Sequence, residues 1–168
     1  MTTPVCQISG SESKRRTGTG TRSVISAVLR IARREDVPAM MRVRHAVTEN
    51  RLVSRLIPDS EVIDAIERSG RGWVIEVSDQ IVAFAIGNAD TGNVWALFVD
   101  PAYEGKGHGR RLLEEMTGWL FDQGLERLWL STEAQTRAHA FYERAGWQWV
   151  RDLPDREVLL EKVRRETT

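Results

Sequence analysis

The chain has one cysteine, Cys6, so no internal disulfide can staple its fold. Neither that cysteine nor the three histidines fall at metal-ligand spacing, and no metal is expected. No apolar run approaches the roughly 18 residues that cross a bilayer. The N-terminus also lacks the apolar core of a secretion signal. These absences lead us to expect a cytoplasmic address and no membrane partner. Net charge is missing too, since 24 Lys and Arg balance 24 Asp and Glu. A chain without a global field would need a local basic patch to hold nucleic acid, and none is expected. Residues 9–23 offer almost nothing to bury, so 1–26 reads as a flexible tail in which Lys14, Arg15 and Arg16 are solvated.

What remains suits a single folded domain over 27–168. The chain of 168 residues is 41% hydrophobic and 29% charged, enough for one sizeable core and too short for two. A strand is expected within 26–33. Glu35 and Asp36 then mark a helix start with Pro38 in the first turn. Pro58-Asp59-Ser60 opens a second helix that Gly70 should stop. The polar loop 50–57 between the helices is long enough to help shape a substrate site. Strands follow at 72–77 and 81–88, turning at Asp79-Gln80, and Asp90 to Asn93 makes the next tight turn. The almost wholly apolar run 94–99 reads as a strand buried on both faces. An amphipathic helix over 110–123 ends at Gly124. A strand at 125–132, a helix at 136–145 and strands at 147–151 and 157–162 complete the chain. The order β-α-α-β-β-β-α-β-α-β-β describes an α/β domain, a mixed central β-sheet flanked by helices.

The informative segment is Val99-Asp100-Pro101-Ala102-Tyr103-Glu104-Gly105-Lys106-Gly107-His108-Gly109-Arg110. A buried strand ends, Pro101 breaks it, three glycines follow at alternate positions, and a helix begins. Alternate glycines let backbone N–H groups converge without Cβ atoms in the way. The helix adds its own free N–H groups and the positive end of its dipole, which together suit a pyrophosphate. Lys106, Arg110 and Arg111 can add charge. The spacing is neither the dinucleotide G-x-G-x-x-G nor a P-loop. Taken alone it is also compatible with a glycine-rich connection that holds no ligand.

Glu104 to Gly109 resembles the Q/R-x-x-G-x-G/A signature of the GNAT N-acetyltransferase family. Gln135-Thr136-Arg137-Ala138-His139-Ala140-Phe141-Tyr142-Glu143-Arg144-Ala145-Gly146-Trp147 resembles that family's N-x-x-A-x-x-F-Y-x-x-x-G-F segment. The two stand in the right order, about 25 residues apart, and the likeness in element order covers about four-fifths of the chain. The resemblance implies acetyl-CoA as acyl donor, with the pyrophosphate on the amides of Lys106, Gly107, Gly109 and Arg110. Gly105, His108, Phe98, Phe141 and Gln135 would complete the cofactor side. The pantetheine arm would lie along Leu97 and Val99 as an added strand, admitted by a splay between this strand and the next. The Leu97 amide would stabilise the oxyanion. Glu104 departs from the signature's Gln or Arg, and Gln135 from its Asn.

The resemblance also implies direct attack of a primary amine in a ternary complex, with Tyr142 giving the proton to the departing thiolate. Some relatives carry a glutamate base near Asn93, which cannot act as one. Glu133 is the expected base, acting through water, and His45 with Glu49 is the other pair weighed. Trp95 and Trp129, on the two splayed strands, could line a pocket for the small-molecule or peptide acceptor. Relatives of this kind often form homodimers, which makes a homodimer an expectation here. The alternative to an enzyme is a coenzyme A-binding sensor, which would bind the cofactor and release no thiol.

Overall fold

The computed structural model describes residues 26–47 and 57–166. The tail 1–25, Cys6 within it, Glu49 and most of the 50–57 loop lie outside the described residues. Seven strands and four helices follow the expected order: β1 (Ala27–Ile31), α1 (Val37–Ala46), α2 (Asp59–Glu67), β2 (Gly70–Val77), β3 (Gln80–Asn88), β4 (Val94–Val99), α3 (His108–Asp122), β5 (Arg127–Glu133), α4 (Arg137–Arg144), β6 (Gln148–Asp152) and β7 (Glu157–Val163).

The strands form two antiparallel sheets, β1-β2-β3-β4 and β5-β7-β6. Among the described residues, one parallel bridge joins them, Asn93 to Trp129. There Trp129 N donates to Gly92 O at 3.0 Å and its indole Nε1 donates to Thr91 O at 3.0 Å. Asn93 Nδ2 donates to Trp129 O at 3.3 Å. The bridge lies at the starts of β4 and β5, and the strands share no further ladder pairs. The sheet is therefore mixed only across this seam, and it opens toward the C-terminal ends of β4 and β5.

Alternation sends the two faces of the first sheet into different cores. Trp73, Ile75, Leu97 and Val99 pack with Leu112, Met116 and Leu120 of α3. Val74, Phe84, Ile86 and Phe98 pack with Met40 and Val43 of α1 and Val62 and Ile66 of α2. On the α3 side β3 presents Val82 at its bulge and then the small residues Ala83, Ala85 and Gly87. A Cβ on Gly87 would stand 3.0 Å from side-chain atoms of both Leu120 and Met116. This small-residue face lets α3 lie close on β3 and fixes where its N-terminus emerges.

Several boundaries differ from the sequence reading. Gly70 does not stop α2, which ends at Glu67. It opens β2, where a Cβ would sit 1.8 Å from Gly87 O. The β2–β3 turn is Ser78-Asp79, both with positive φ, and Gln80 already belongs to β3. Helix α3 begins two residues early, at His108.

Candidate functional site

The site begins where β4 ends. The Asp100 carboxylate accepts from Ala102 N at 2.9 Å, and Tyr103 N donates to Asp100 O at 2.8 Å. Pro101 starts this tight turn. Gly105 and Gly107 follow with φ of 71° and 81°, the left-handed region that glycine enters without cost. Gly107 is the N-cap of α3, and no side chain caps that helix. Its first-turn amides therefore face the space beside the turn with no side-chain acceptor at the cap. A Cβ on either Gly105 or Gly107 would meet no atom within 4 Å.

That space is a cavity of about 190 Å³, lined by Val99, Tyr103, Glu104, the three glycines, His108 and Arg110, with Arg137, Phe141 and Arg144 from α4. Its charge is mostly positive. The Lys106 ammonium stands over the Tyr103 ring, 5.5 Å from its centre. His108 is 6% exposed, and neither ring nitrogen has a hydrogen-bond partner among the described residues. Burial holds its imidazole below the usual histidine range, and Arg111 and Lys106 add to this. Open backbone amides, guanidinium groups and an orphaned imidazole suit a phosphate-bearing ligand and offer little to a neutral one.

β4 runs from this cavity back along the seam. Asp100 N donates to Val82 O. By alternation the amides of Leu97 and Val99 point the other way, toward β5. The Phe98 side chain turns to the opposite core and stacks on Phe84 at 5.3 Å. Tyr142 is fully buried, edge-on to Phe141 at 5.2 Å and to Trp147 at 6.0 Å. It packs on the same side of the sheets as α3.

Glu133 ends β5 and pairs across the ladder with Glu157 of β7. Leu130, on the alternate face of β5, joins the core that holds Tyr142, so Glu133 lies on the face away from it. Burial pushes the Glu157 carboxyl up, and Asp155 and Glu133 push it further. Gln135 is exposed, has φ of 62° and lines neither cavity beside α4. Its backbone N donates to His139 Nδ1 at 3.1 Å. Asn93 is buried in the bridge, and His45 is exposed on the last turn of α1. Trp95 packs against the α1–α2 core, and Trp129 is tied to the bridge.

Sequence reasoning missed Arg137 and Arg144. The signal was present, because residues 137, 141 and 144 share one helical face, and that face lines the cavity. Among the described residues no group of His, Cys, Asp and Glu could hold a metal ion, and no helix is long and apolar enough to cross a membrane.

Residues 39–147, about two-thirds of the chain, match the model of the acetyltransferase (GNAT) family. The chain belongs to that family. The matched stretch of this GNAT chain runs from α1 through the glycine turn to the end of the α4 segment. The chain is 32% identical over 75 residues to a ribosomal protein bS18-alanine N-acetyltransferase of Haemophilus ducreyi, a match covering 43% of this chain and 52% of that protein. It thus spans about half the length of the curated relatives it matches. Solved structures with the same fold include PaiA N-acetyltransferase from Thermoplasma acidophilum in complex with coenzyme A. That structure has a TM-score of 0.72 and 18% identity, covering 83% of this chain and all of that one. Another is the ribosomal-protein-S18-alanine N-acetyltransferase of Escherichia coli, with a TM-score of 0.67 and 20% identity, covering 82% and 94%.

Proposed function

We propose that this GNAT protein moves the acetyl group of acetyl-CoA to a primary amine of a small molecule or peptide, by direct attack within a ternary complex. The observation behind the reading is the uncapped start of α3. It faces a cationic cavity directly beyond the strand whose Leu97 and Val99 amides point into the seam. A diphosphate on Lys106, Gly107, Gly109 and Arg110 would lay the pantetheine arm along that strand edge. Gly105, His108 and Phe141 bound the same cavity. Glu104 lines it too, so its carboxylate is the one negative charge a diphosphate would meet there.

The chemistry divides across the sheet. The amine nitrogen bonds to the thioester carbon and the carbon–sulfur bond breaks. The Leu97 amide holds the developing oxyanion. Tyr142, on the α4 side, gives its hydroxyl proton to the thiolate and regains one from solvent. Glu133, on the opposite face, takes the proton shed by the ammonium through a water molecule. Acid and base on opposite faces allow the amine to approach from the side of α1 and α2. The likeness to an enzyme that acetylates a ribosomal protein's alanine favours a peptide N-terminus among the acceptors to try first.

Thiol release from acetyl-CoA with a panel of amines and N-terminal peptides tests this reading. Release should depend on acceptor, and Tyr142→Phe should lower kcat about a hundredfold or more. Cofactor binding with no release for any acceptor would favour a sensor instead.

A further inference from the structure

The second sheet turns Arg127, Trp129, Ser131 and Glu133 of β5, with Glu157, Leu159 and Glu161 of β7, to the face away from the core that holds Tyr142. At one end of this face charge is balanced, since Arg127 bonds Glu161 at 2.6 Å. At the other end it is not. Glu133 stands directly across the ladder from Glu157, and among the described residues no ion pair joins either carboxylate to a cation. Directly opposed side chains have their Cβ atoms about 4.5–5.5 Å apart, where like charges destabilise a sheet. The charged groups around Glu157 are Glu133 of β5, Asp155 and Arg156 of the turn before β7, and Arg151 and Asp152 of β6. Burial raises the affinity of the Glu157 carboxyl for its proton, and Asp155 and Glu133 raise it further.

A second observation singles out the same end of the face. Ser131 lies two residues before Glu133 and diagonal to Glu157. It is 4% exposed, and its hydroxyl has no hydrogen-bond partner among the described residues. A buried hydroxyl beside two carboxylates is a place for a water that donates to them and bonds the serine. The level along the strands matters too. Counted from the bridge at Asn93 and Trp129, Glu133 stands opposite residues 97–98 of β4, across the opening of the seam. That is the level of the Leu97 amide. A water beside Glu133 is therefore within reach of an amine attacking a thioester held there.

We propose that Glu157 is a positioning residue for the base: it and Glu133 hold one proton between them, and this sharing sets the pH at which the acceptor amine is deprotonated. The inference rests on the acetyl-transfer reading and gives the base of that reading a partner. In becoming an amide, the acceptor ammonium sheds two protons. Both pass through water to the pair and on to solvent, and solvent returns one to Tyr142 after its own proton has gone to the thiolate. Two neighbouring carboxylates resist full ionisation, so the pair holds a proton more tightly than one carboxylate alone. That makes it a stronger base toward an ammonium.

Carbon-13 labels on the glutamate side-chain carboxyls of the full wild-type chain show the pair titrating. The signals of Glu133 and Glu157 should each move in two steps at the same two pH values, about one unit or more apart. Acetyl transfer to an amine that supports thiol release then shows what the pair does. In Glu157→Gln the acid limb of kcat/KM should move about one pH unit lower, the effect of removing one nearby negative charge. The plateau above it should fall about threefold, as a weaker base requires, whereas Glu133→Gln should lower that plateau about a hundredfold. Single, independent steps for the two carboxyls in an active enzyme overturn the inference and leave acetyl transfer standing, and so does an acid limb that Glu157→Gln leaves in place. Coupled carboxyls in a chain that releases no thiol with any acceptor overturn the acetyl-transfer reading and with it the role given to Glu157.

Discussion

Gly107 stands in the left-handed region at a point where an added side chain would meet no protein atom within 4 Å. Gly107→Val therefore costs the fold only backbone strain, about 1–2 kcal/mol, while its side chain enters the ligand space. The expected outcome is a cooperative thermal transition close to wild type and loss of coenzyme A binding by about a hundredfold or more in calorimetry. Undiminished binding would remove the turn from the site. Gly92 has nearly the same φ, 76°, but a Cβ there would stand 2.7 Å from Arg127 O, so its role is to close the bridge between the sheets. Sequence could single out the glycines of the turn because their spacing matches a binding device. It had no means of separating Gly92 from an ordinary turn glycine, because the atom that excludes its side chain lies far along the chain. Glu104 and Gln135, the two departures from the family signature, part company in space. Glu104 lines the cavity, and Gln135 does not.

Elements were legible where period and punctuation are local. The apolar run of β4 has the boundaries its sequence suggests, and α3 starts only two residues earlier than its pattern does, because a left-handed glycine followed by His108 and Gly109 does not look like a helix start. Gly70 misled for a similar reason: a glycine after a helix pattern reads as a cap, whereas here it permits close approach of β2 and β3. The junction of β1, β2 and α1 rests on charge that the hydrophobic pattern does not report. Arg30 bonds Asp36 at 2.7 Å and Glu76 at 2.6 Å, and Asp36 also accepts from Arg33 N at 2.7 Å. The Arg30 guanidinium, helped by that amide, holds the Asp36 carboxyl below the usual range. A lowered folded-state value means stability that is present above the unfolded value of about 4 and is lost as pH falls through the folded one. Asp36→Ala should cost about 1–3 kcal/mol at neutral pH in urea denaturation. It should also flatten the loss of stability below about pH 4. An equal midpoint for variant and wild type at pH 7 would show the network to be idle.

At the scale of the whole molecule, two antiparallel sheets meet at one bridge and part toward the glycine turn. The order of elements implied a central sheet, and the resemblance implied the splay. The cationic lining was illegible, because Arg110 comes from α3 and Arg137 and Arg144 from α4, helices whose meeting depends on α3 settling onto the small-residue face of β3. A ligand held between β4, α3 and α4 would tie both sheets together. Coenzyme A at about a hundredfold over its Kd should add about 2.7 kcal/mol. That should raise Tm by roughly 5–10 °C in a single transition. Two transitions, with one unmoved by the ligand, would show that the sheets melt apart.

The grip of the turn's main chain on a diphosphate can be read amide by amide. In a nitrogen-15-labelled sample titrated with coenzyme A, the backbone signals of Lys106, Gly107, His108, Gly109 and Arg110 should shift most and in proportion to occupancy. Saturable binding that leaves those five signals where they were would contradict the account.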